Sequence, residues 1–398
     1  MKRVERKQKR KENKKQDGRP RQGIAEQVLS NLSLHYEFRI IVMVAILVAF
    51  GVVMVFSAGY YTTVSQFDDP YYYLKRQGFW ALSGFVIMMI FSRIDYHVYM
   101  KIWPWILALS VGLLLLLMTP LGTTVNYATR WIYIGPIGIT PSEISKLAMI
   151  ICTSCFLARK PGRVRKLLPG VLPILIVMGV HAILIIKQPN LSTAIVICAI
   201  MIGIMFIAGL QYRYIALGGG ALAAGTVYIL TDPRFRHGHW YARLTNWIDP
   251  FADAQGEGYQ VSQSLIALGN GGVKGLGLGN SIAKNLYLPE PQNDFILAII
   301  GEELGFGGFL ILMGVYLFLI WSCFMVAARA KDKLGLYLAS GVTIMLALQV
   351  IINVAVVTAS MPATGITLPF ISYGGTSLWV FMASMGIVLN ISRKEEQA

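Results

Sequence analysis

The sequence predicts an all-α polytopic membrane protein with ten transmembrane helices. Hydrophobic residues make up 55% of its 398 residues and charged residues only 14%, and the mean hydropathy is +0.58. Apolar residues occur in unbroken runs of about 18 or more, long enough for helices that span a bilayer. A membrane β-barrel would instead have alternating segments of about 10 residues. The composition therefore excludes both a soluble protein and a barrel.

The chain begins with a strongly basic tail. Residues 1–22 contain 11 of the 35 Lys and Arg residues, so this segment carries much of the net charge of +15. Its polarity predicts a disordered cytoplasmic tail and argues against a folded surface that binds nucleic acid. In residues 23–38 apolar side chains recur at helical spacing, which is typical of an interfacial helix, although a plain linker explains the pattern nearly as well.

Ten apolar segments then define the predicted membrane domain, residues 39–393. They cover residues 39–58, 78–92, 103–119, 142–158, 169–186, 191–210, 213–230, 295–328, 335–359 and 376–391. With the N-terminus inside, 25 of the 35 Lys and Arg residues lie on the cytoplasmic side. The positive-inside rule therefore places both termini in the cytoplasm, including the C-terminal tail at 394–398.

Three long loops are predicted on the outer face, and long loops commonly carry function. They cover residues 59–77, 120–141 and 231–294, and the last connects predicted helices 7 and 8. The glycines between Gly269 and Gly279 lack the strand and helix that frame a nucleotide-binding loop. A re-entrant or closely packed turn is the better interpretation of this segment.

Charged residues at the edges of apolar segments are the first candidates for function, because charge is costly within a bilayer. Glu143 and Lys146 lie at i and i+3 on one face of a helix, so they can pair. Either the pair only holds two helices together, or Lys146 faces a substrate.

Outer-face cations predict a phosphate-binding basin, with snorkelling as the alternative for Arg76 and Lys187. The basin residues are Arg76, Arg130, Lys146, Lys187 and Arg243.

Carboxylates mark the beginning of the eighth predicted helix. Asp294 lies at its N-terminus, where an ordinary helix cap would also explain an aspartate. Glu302 and Glu303 lie two turns deeper and cannot be caps, so we expect this helix to line a polar cavity. His237 and His239 lack an obvious third ligand, so no metal site is predicted there.

Several separate blocks of the chain, from about Arg39 to Arg393, have a specific order and spacing. They include Arg76-Gln77, Arg130-Trp131, Pro141-Ser142-Glu143 with Lys146, Gln188-Pro189-Asn190, Tyr287-Leu288-Pro289-Glu290, Asp294-Phe295-Ile296, Glu302-Glu303-Leu304-Gly305 and Pro369-Phe370-Ile371-Ser372-Tyr373. Together these blocks resemble the shape, elongation, division and sporulation (SEDS) family, whose branches are FtsW, RodA and SpoVE. The region around Glu302 and the basic tail favour the FtsW/SpoVE branch.

The resemblance implies a ten-helix protein of the bacterial cytoplasmic membrane. It also implies a peptidoglycan glycosyltransferase that polymerises lipid II, releasing undecaprenyl pyrophosphate, in cell division, cell-shape control or sporulation. Asp294 matches the family's candidate catalytic aspartate, although Gln292 and Asn293 replace the usual His-Thr, and Asn190 replaces an Asp. The substrate-binding residues would be Arg76, Arg130, Trp131, Glu143, Lys146, Lys187, Arg243, Glu290 and Ser372. A bound divalent cation, Mg²⁺ or Mn²⁺, is another source of positive charge for the pyrophosphate.

The resemblance also implies protein partners: a class B penicillin-binding protein, which crosslinks the new strand, and other divisome or elongasome membrane proteins. The alternative functions are a lipid II flippase and a division-site scaffold. The concentration of polar residues on the outer face favours the enzyme, because a flippase needs a pathway that also opens inward.

The segment 335–359 is a candidate docking surface for the partner's membrane helix. Gly341 and Ala355 are small enough for close helix approach, and Gln349 and Asn353 lie on one stripe. The alternative is that the two amide side chains face inward.

Overall fold

The computed structural model describes residues 24–125, 128–135, 137–214, 216–218, 220, 247–256 and 258–396. Most of this part of the chain is helical. The α-helices are α1 (Ile24–Phe67), α2 (Tyr72–Arg93), α3 (Tyr99–Leu116), α4 (Pro141–Arg159), α5 (Leu172–Ile186), α6 (Leu191–Ile207), α7 (Tyr259–Gly271), α8 (Ile296–Arg329), α9 (Lys333–Val357) and α10 (Gly375–Glu396). The strands are β1 (Gly122–Val125), β2 (Ala128–Ile134) and β3 (Ile137–Ile139).

The helices make this a multi-pass membrane protein. Seven of the described helical stretches are long and apolar enough to cross a membrane, and α6 is a shorter apolar helix. Helices α1–α6 and α8–α10 overlap nine of the predicted segments in order. The remaining predicted segment, 213–230, lies largely outside the described residues, as do the tail at 1–22 and much of the loop at 231–294.

The described connections between helices gather at two ends of the bundle. We call one the loop end; it holds the sheet β1–β3, the start of α8 and residues 358–374. We call the other the tail end. There, both ring nitrogens of His97 lie 2.8 Å from carboxylate oxygens of Asp95 and Asp332, and Arg393 pairs with Glu37 at 3.0 Å. The loop end is the one that the sequence predicts to face outward.

Helix α9 packs against α4, α6 and α8. A Cβ atom on Gly341 would lie only 2.7 Å from Ile150 and 2.8 Å from Ile204. Gln349 and Asn353 are buried, whereas Ile351 is 62% exposed. The prediction that Gly341, Gln349 and Asn353 face a partner helix is therefore wrong, and the inward-facing alternative for the two amides is right. Ala355 is half-buried, so its part in a docking surface stays a prediction. The sequence could not decide this, because lipid tails are as apolar as the protein interior.

Residues 120–141, which the sequence predicts to be a loop, contain a small antiparallel sheet. The order is β1-β2-β3, with Ile132 opposite Ile139 across β2 and β3. The Thr376 hydroxyl of α10 accepts a hydrogen bond from the Thr140 amide and donates one to the Gly138 carbonyl. These contacts fix the sheet, and with it Arg130 of β2, against the helical bundle.

Helix α8 is interrupted at Gly305, where the glycine-rich segment pairs with it. The Leu276 amide donates to the Glu302 carbonyl at 3.0 Å, and the Phe306 amide donates to the Gly272 carbonyl at 2.9 Å. Gly305 has φ +67° and ψ −171°, a backbone region that is essentially restricted to glycine. The interpretation of the glycine-rich segment as a closely packed turn is confirmed, and the pairing satisfies backbone groups that the break would leave open.

Glu302 and Glu303 belong to a packed polar cluster rather than to an open cavity. The Glu303 carboxylate accepts hydrogen bonds from the Ser57 hydroxyl at 2.7 Å and from the Lys284 ammonium at 2.9 Å. Glu302 accepts from the Ala283 amide at 3.1 Å and from Asn270 at 3.2 Å. Both carboxylates are fully buried, so their role in this fold is to hold the 270–284 segment against α8.

The break in α8 gives a stability prediction. We expect Gly305→Ala to destabilise the fold by about 1–3 kcal/mol from backbone strain alone. The new Cβ would also lie 2.3 Å from the Gly275 amide nitrogen. Chemical unfolding in detergent should show a lower midpoint for this variant.

The matched control is Gly314→Ala in the same helix, where an added Cβ meets no atom within 4 Å. Its unfolding midpoint should equal or slightly exceed that of the parent protein, because alanine is the better helix former. Equal midpoints for Gly305→Ala and the parent would contradict the observed packing of the glycine-rich segment.

Candidate active site

The candidate site lies at the loop end, where strand β2, the start of α8, the end of α9 and residues 358–374 meet. Asp294 directly precedes Phe295, the N-cap of α8, and its side chain is half-buried. The Asn353 side chain of α9 donates a 2.8 Å hydrogen bond to the main-chain carbonyl of Asp294. The position of the aspartate is therefore fixed by a neighbouring helix as well as by its own.

Gly365 lies beside both Asp294 and Arg130. A Cβ atom on this glycine would lie 3.8 Å from the Arg130 Nη1 atom and 3.8 Å from the Asp294 Oδ2 atom. The Arg130 Nη1 atom and the Asp294 Oδ2 atom are therefore no farther apart than twice 3.8 Å. Gly365 is itself exposed, so the space beside it is open to solvent. Arg130 also donates a hydrogen bond of 2.5 Å to the Pro189 carbonyl, which ties β2 to the turn before α6.

Glu143 and Lys146 form the predicted ion pair in the first turns of α4. The carboxylate and ammonium atoms are 2.7 Å apart, and the side chains are 14% and 3% exposed. Asn190 lies nearby as the N-cap of α6: its side chain accepts from the Thr193 amide at 3.4 Å and donates to Ser142 at 3.5 Å. An asparagine at this position can thus serve as a helix cap.

Arg76 lies on α2 and is bound by aromatic side chains. Its guanidinium donates to the Tyr72 hydroxyl at 2.7 Å and hydrogen-bonds the Tyr373 side chain. Burial raises the pKa of the Tyr373 phenol above its ordinary value, although Arg76 acts in the opposite direction. The Tyr373 amide donates to the Gln292 carbonyl at 2.9 Å, so Tyr373 connects Arg76 with the segment before Asp294.

Glu290 organises the turn that precedes Asp294. Its Oε2 atom accepts hydrogen bonds from Gln292 at 3.0 Å and from Asn293 at 2.9 Å. Gln292 also donates to the Tyr73 hydroxyl at 3.1 Å. The two residues that depart from the family's His-Thr pair therefore have defined partners in this chain.

The remaining candidates occupy different surroundings. Ser372 is buried, and its hydroxyl accepts a 2.8 Å hydrogen bond from the Leu368 amide, so it stabilises a turn. Trp131 is half-buried on β2 opposite Thr123, and Lys187 is exposed at the end of α5. Arg243, His237 and His239 lie outside the described residues. Among the residues that the structure describes, no group of three or more His, Cys, Asp and Glu side chains could hold a metal ion.

Sequence reasoning missed Gly365, Asn353 and the Pro189 carbonyl as parts of this site. Gly365 is the glycine of the segment Pro362-Ala363-Thr364-Gly365-Ile366, and this is the signal that could have found it. The sequence predicts Asn353 only as part of a docking stripe or as an inward-facing amide. No sequence signal could identify a main-chain carbonyl that binds an arginine from a separate strand.

The Glu143–Lys146 pair gives a second prediction. Because both charges are largely buried, Glu143→Leu or Lys146→Met alone should destabilise the protein by about 3–5 kcal/mol. The double variant should be less destabilised than the sum of the single variants. Chemical unfolding in detergent gives the free energy of unfolding of the parent, the two single variants and the double variant, which together form a double-mutant cycle.

The exposed Lys75–Asp69 pair, at 2.9 Å, is the control, and we expect no measurable coupling there. Additive effects at Glu143 and Lys146 would contradict a stabilising pair and would favour a Lys146 that acts on substrate.

Comparison with known proteins identifies the family. A model of the FtsW, RodA and SpoVE family, described as cell cycle protein, matches residues 38–397. A probable peptidoglycan glycosyltransferase FtsW from Geobacter sp. (strain M18) is 38% identical, over 90% of this chain and 97% of the relative. The stage V sporulation protein E of Bacillus subtilis (strain 168) is 37% identical, over 89% and 96% of the two chains.

Solved structures agree with this assignment. The rod shape determining protein RodA of Thermus thermophilus superposes with a TM-score of 0.65 and 25% identity, over 89% of this chain and 96% of RodA. A chain from a peptidoglycan synthase complex, described as coordinating polymerization and crosslinking, has a TM-score of 0.73 and 26% identity, over 90% and 98% of the two chains. The protein described here therefore belongs to the FtsW, RodA and SpoVE family, the SEDS family.

Proposed function

We propose that this protein is a peptidoglycan glycosyltransferase that polymerises lipid II at its loop end and releases undecaprenyl pyrophosphate. Relatives at 37–38% identity over most of the chain include several named as probable peptidoglycan glycosyltransferases. The observation that carries the proposal is that the Asp294 carboxylate and the Arg130 guanidinium both lie beside the exposed Gly365. A proton acceptor and a phosphate-binding cation are the two groups that this reaction needs.

In the proposed mechanism Asp294 is the general base. Its carboxylate accepts the proton of a GlcNAc 4-hydroxyl, whose oxygen then attacks the anomeric carbon of a second lipid-linked disaccharide. The bond between that carbon and the pyrophosphate oxygen breaks, and the anomeric configuration inverts. Partial burial of Asp294 limits its hydration, which keeps the carboxylate available as a proton acceptor.

Arg130 is the proposed cation for the departing pyrophosphate, because a guanidinium can bind two phosphate oxygens at once. Arg76 and Lys187 would add positive charge at the same end of the bundle, and Arg243, which lies outside the described residues, stays a candidate from the sequence. Lys146 contributes less, because Glu143 largely compensates its charge. Mg²⁺ or Mn²⁺ could supply charge too, but the described residues offer no ready-made set of ligands, so we derive no step through a metal.

The other predicted substrate-binding residues take supporting roles in this proposal. Glu290 orders the turn before Asp294, and Ser372 orders the turn at 368–372. Trp131 follows Arg130 on β2 and offers a half-buried aromatic surface beside it.

We further propose ten crossings, with residues 1–22 and 394–398 in the cytoplasm and the loop end outside. The cations of the tail end support this orientation, since Arg159, Lys160, Arg163, Arg165 and Lys166 cluster there. An outward-facing site would bring the enzyme to the compartment in which the cell wall is assembled.

A class B penicillin-binding protein is the proposed partner, together with other membrane proteins of the division or elongation machinery. A related chain comes from a synthase complex described as coordinating polymerization and crosslinking, which supports such a pairing. The FtsW and SpoVE names of relatives at 37–38% identity favour a role in division or sporulation.

A flippase or a simple scaffold is less consistent with this architecture. Among the described helices, α9 packs closely at Gly341 against Ile150 and Ile204, whereas the candidate site is exposed at one end. A scaffold would not require a carboxylate and a guanidinium beside an exposed glycine.

Asp294→Asn tests the mechanism directly. The amide retains the shape of the side chain but accepts protons poorly, so glycan polymerisation should fall by about 100-fold or more. Gel analysis of glycan strands made from lipid II in proteoliposomes provides the measurement. Expression and the unfolding midpoint should be unchanged.

Asp69→Asn is the matched control, because Asp69 is an exposed carboxylate at the same end whose partner is Lys75. This variant should polymerise lipid II at the parental rate. Near-parental polymerisation by Asp294→Asn, at equal protein levels, would remove Asp294 from the mechanism.

A further inference from the structure

Asn353 is a buried amide whose contacts determine its orientation. The side chain is 1% exposed, and its Nδ2 atom lies 2.8 Å from the Asp294 carbonyl and 2.8 Å from the Ile366 carbonyl. Both partners are acceptors only, so the amide nitrogen must face them and donate both of its hydrogens. One side-chain group therefore satisfies two main-chain carbonyls.

These two hydrogen bonds join segments that are far apart in the chain. Asp294 lies 59 residues before Asn353, and Ile366 lies 13 residues after it. Ile366 directly follows Gly365, the glycine beside both Asp294 and Arg130. Asn353 thus holds the Asp294 main chain together with the loop that contains Gly365.

We propose that Asn353 is a positioning residue that fixes Asp294 for proton abstraction. The proposal rests on the proposed function of Asp294 as general base. Asp294 precedes the N-cap of α8, so it lies outside the regular hydrogen bonding of that helix. Loss of the Asn353 amide would leave two carbonyls without their donor and free the main chain at Asp294 to move.

The expected effect is on the chemical step. Displacement of a catalytic group by about 1 Å can reduce the rate by about 100-fold. Asn353→Ala should therefore lower kcat by about 10- to 100-fold, with the KM for lipid II within about twofold of the parental value. Such a split between kcat and KM distinguishes positioning from loss of substrate binding.

Asn353→Asp provides a second, pH-dependent measurement. An ionised aspartate would place carboxylate oxygens against two carbonyl oxygens, whereas its protonated form can donate one hydrogen bond. The activity of this variant relative to the parent should therefore rise as the pH falls. The same ratio for Asn353→Ala should stay constant, because alanine cannot regain a donor.

The control is Thr343→Val, a buried polar-to-apolar change deeper in the same helix. The Thr343 hydroxyl bonds only to the Ala339 carbonyl in the preceding turn, away from the site. Its kcat and KM should remain parental. This control separates a general effect of altering α9 from the specific effect of Asn353.

Hydrogen exchange measured by mass spectrometry tests the contact independently of catalysis. Asn353→Ala should accelerate deuterium uptake in residues 290–296 and 363–368, while Thr343→Val should not. Parental kcat in Asn353→Ala would overturn the proposal. A second outcome would also overturn it. In that outcome kcat falls in parallel with the unfolding midpoint, deuterium uptake in the two segments is unchanged, and the activity of Asn353→Asp does not recover at low pH. An inactive parental protein would instead contradict the proposed function, and the exchange data would still decide whether Asn353 holds the two segments.

Discussion

The requirement that polar groups buried in a membrane find partners inside the protein governs this structure. Helices satisfy most of the backbone, and where α8 breaks at Gly305 the glycine-rich segment supplies the missing hydrogen bonds. Buried charges follow the same rule, since Lys284 pairs with Glu303 and Lys146 pairs with Glu143. Asn353, which binds two carbonyls with one amide, is the corresponding solution at the candidate site.

This requirement also explains where chemistry can occur. Within the described bundle, Lys146 and Lys284 pair with glutamates, and α9 packs closely against α4 and α6. Asp294 is placed at the edge of the bundle, half-buried beside the exposed Gly365. A carboxylate in this position can reach a substrate that is anchored in the membrane by its lipid while its sugars extend beyond the surface.

The sequence predicted those features that depend on local patterns. Long apolar runs located helices α1–α6 and α8–α10, and the i, i+3 spacing predicted the Glu143–Lys146 pair. It could not reveal the sheet at β1–β3, because its strands are short, nor the contact between Asn353 and Asp294, because 59 residues separate them. It also could not orient α9, since apolar side chains suit both lipid and protein surroundings. The proposed role of Asp294 comes from the family resemblance, and the structure adds Gly365 and Asn353 around it.

The central claim is that the loop end performs glycosyl transfer without moving its substrate across the membrane. The most direct measurement is polymerisation of lipid II by the purified parental protein in detergent micelles, where no bilayer separates two compartments. We expect glycan strands and released undecaprenyl pyrophosphate under these conditions. The contradicting result has two parts. Lipid II would remain monomeric in micelles although the protein is folded, and the same protein would translocate lipid II across the membrane of sealed vesicles.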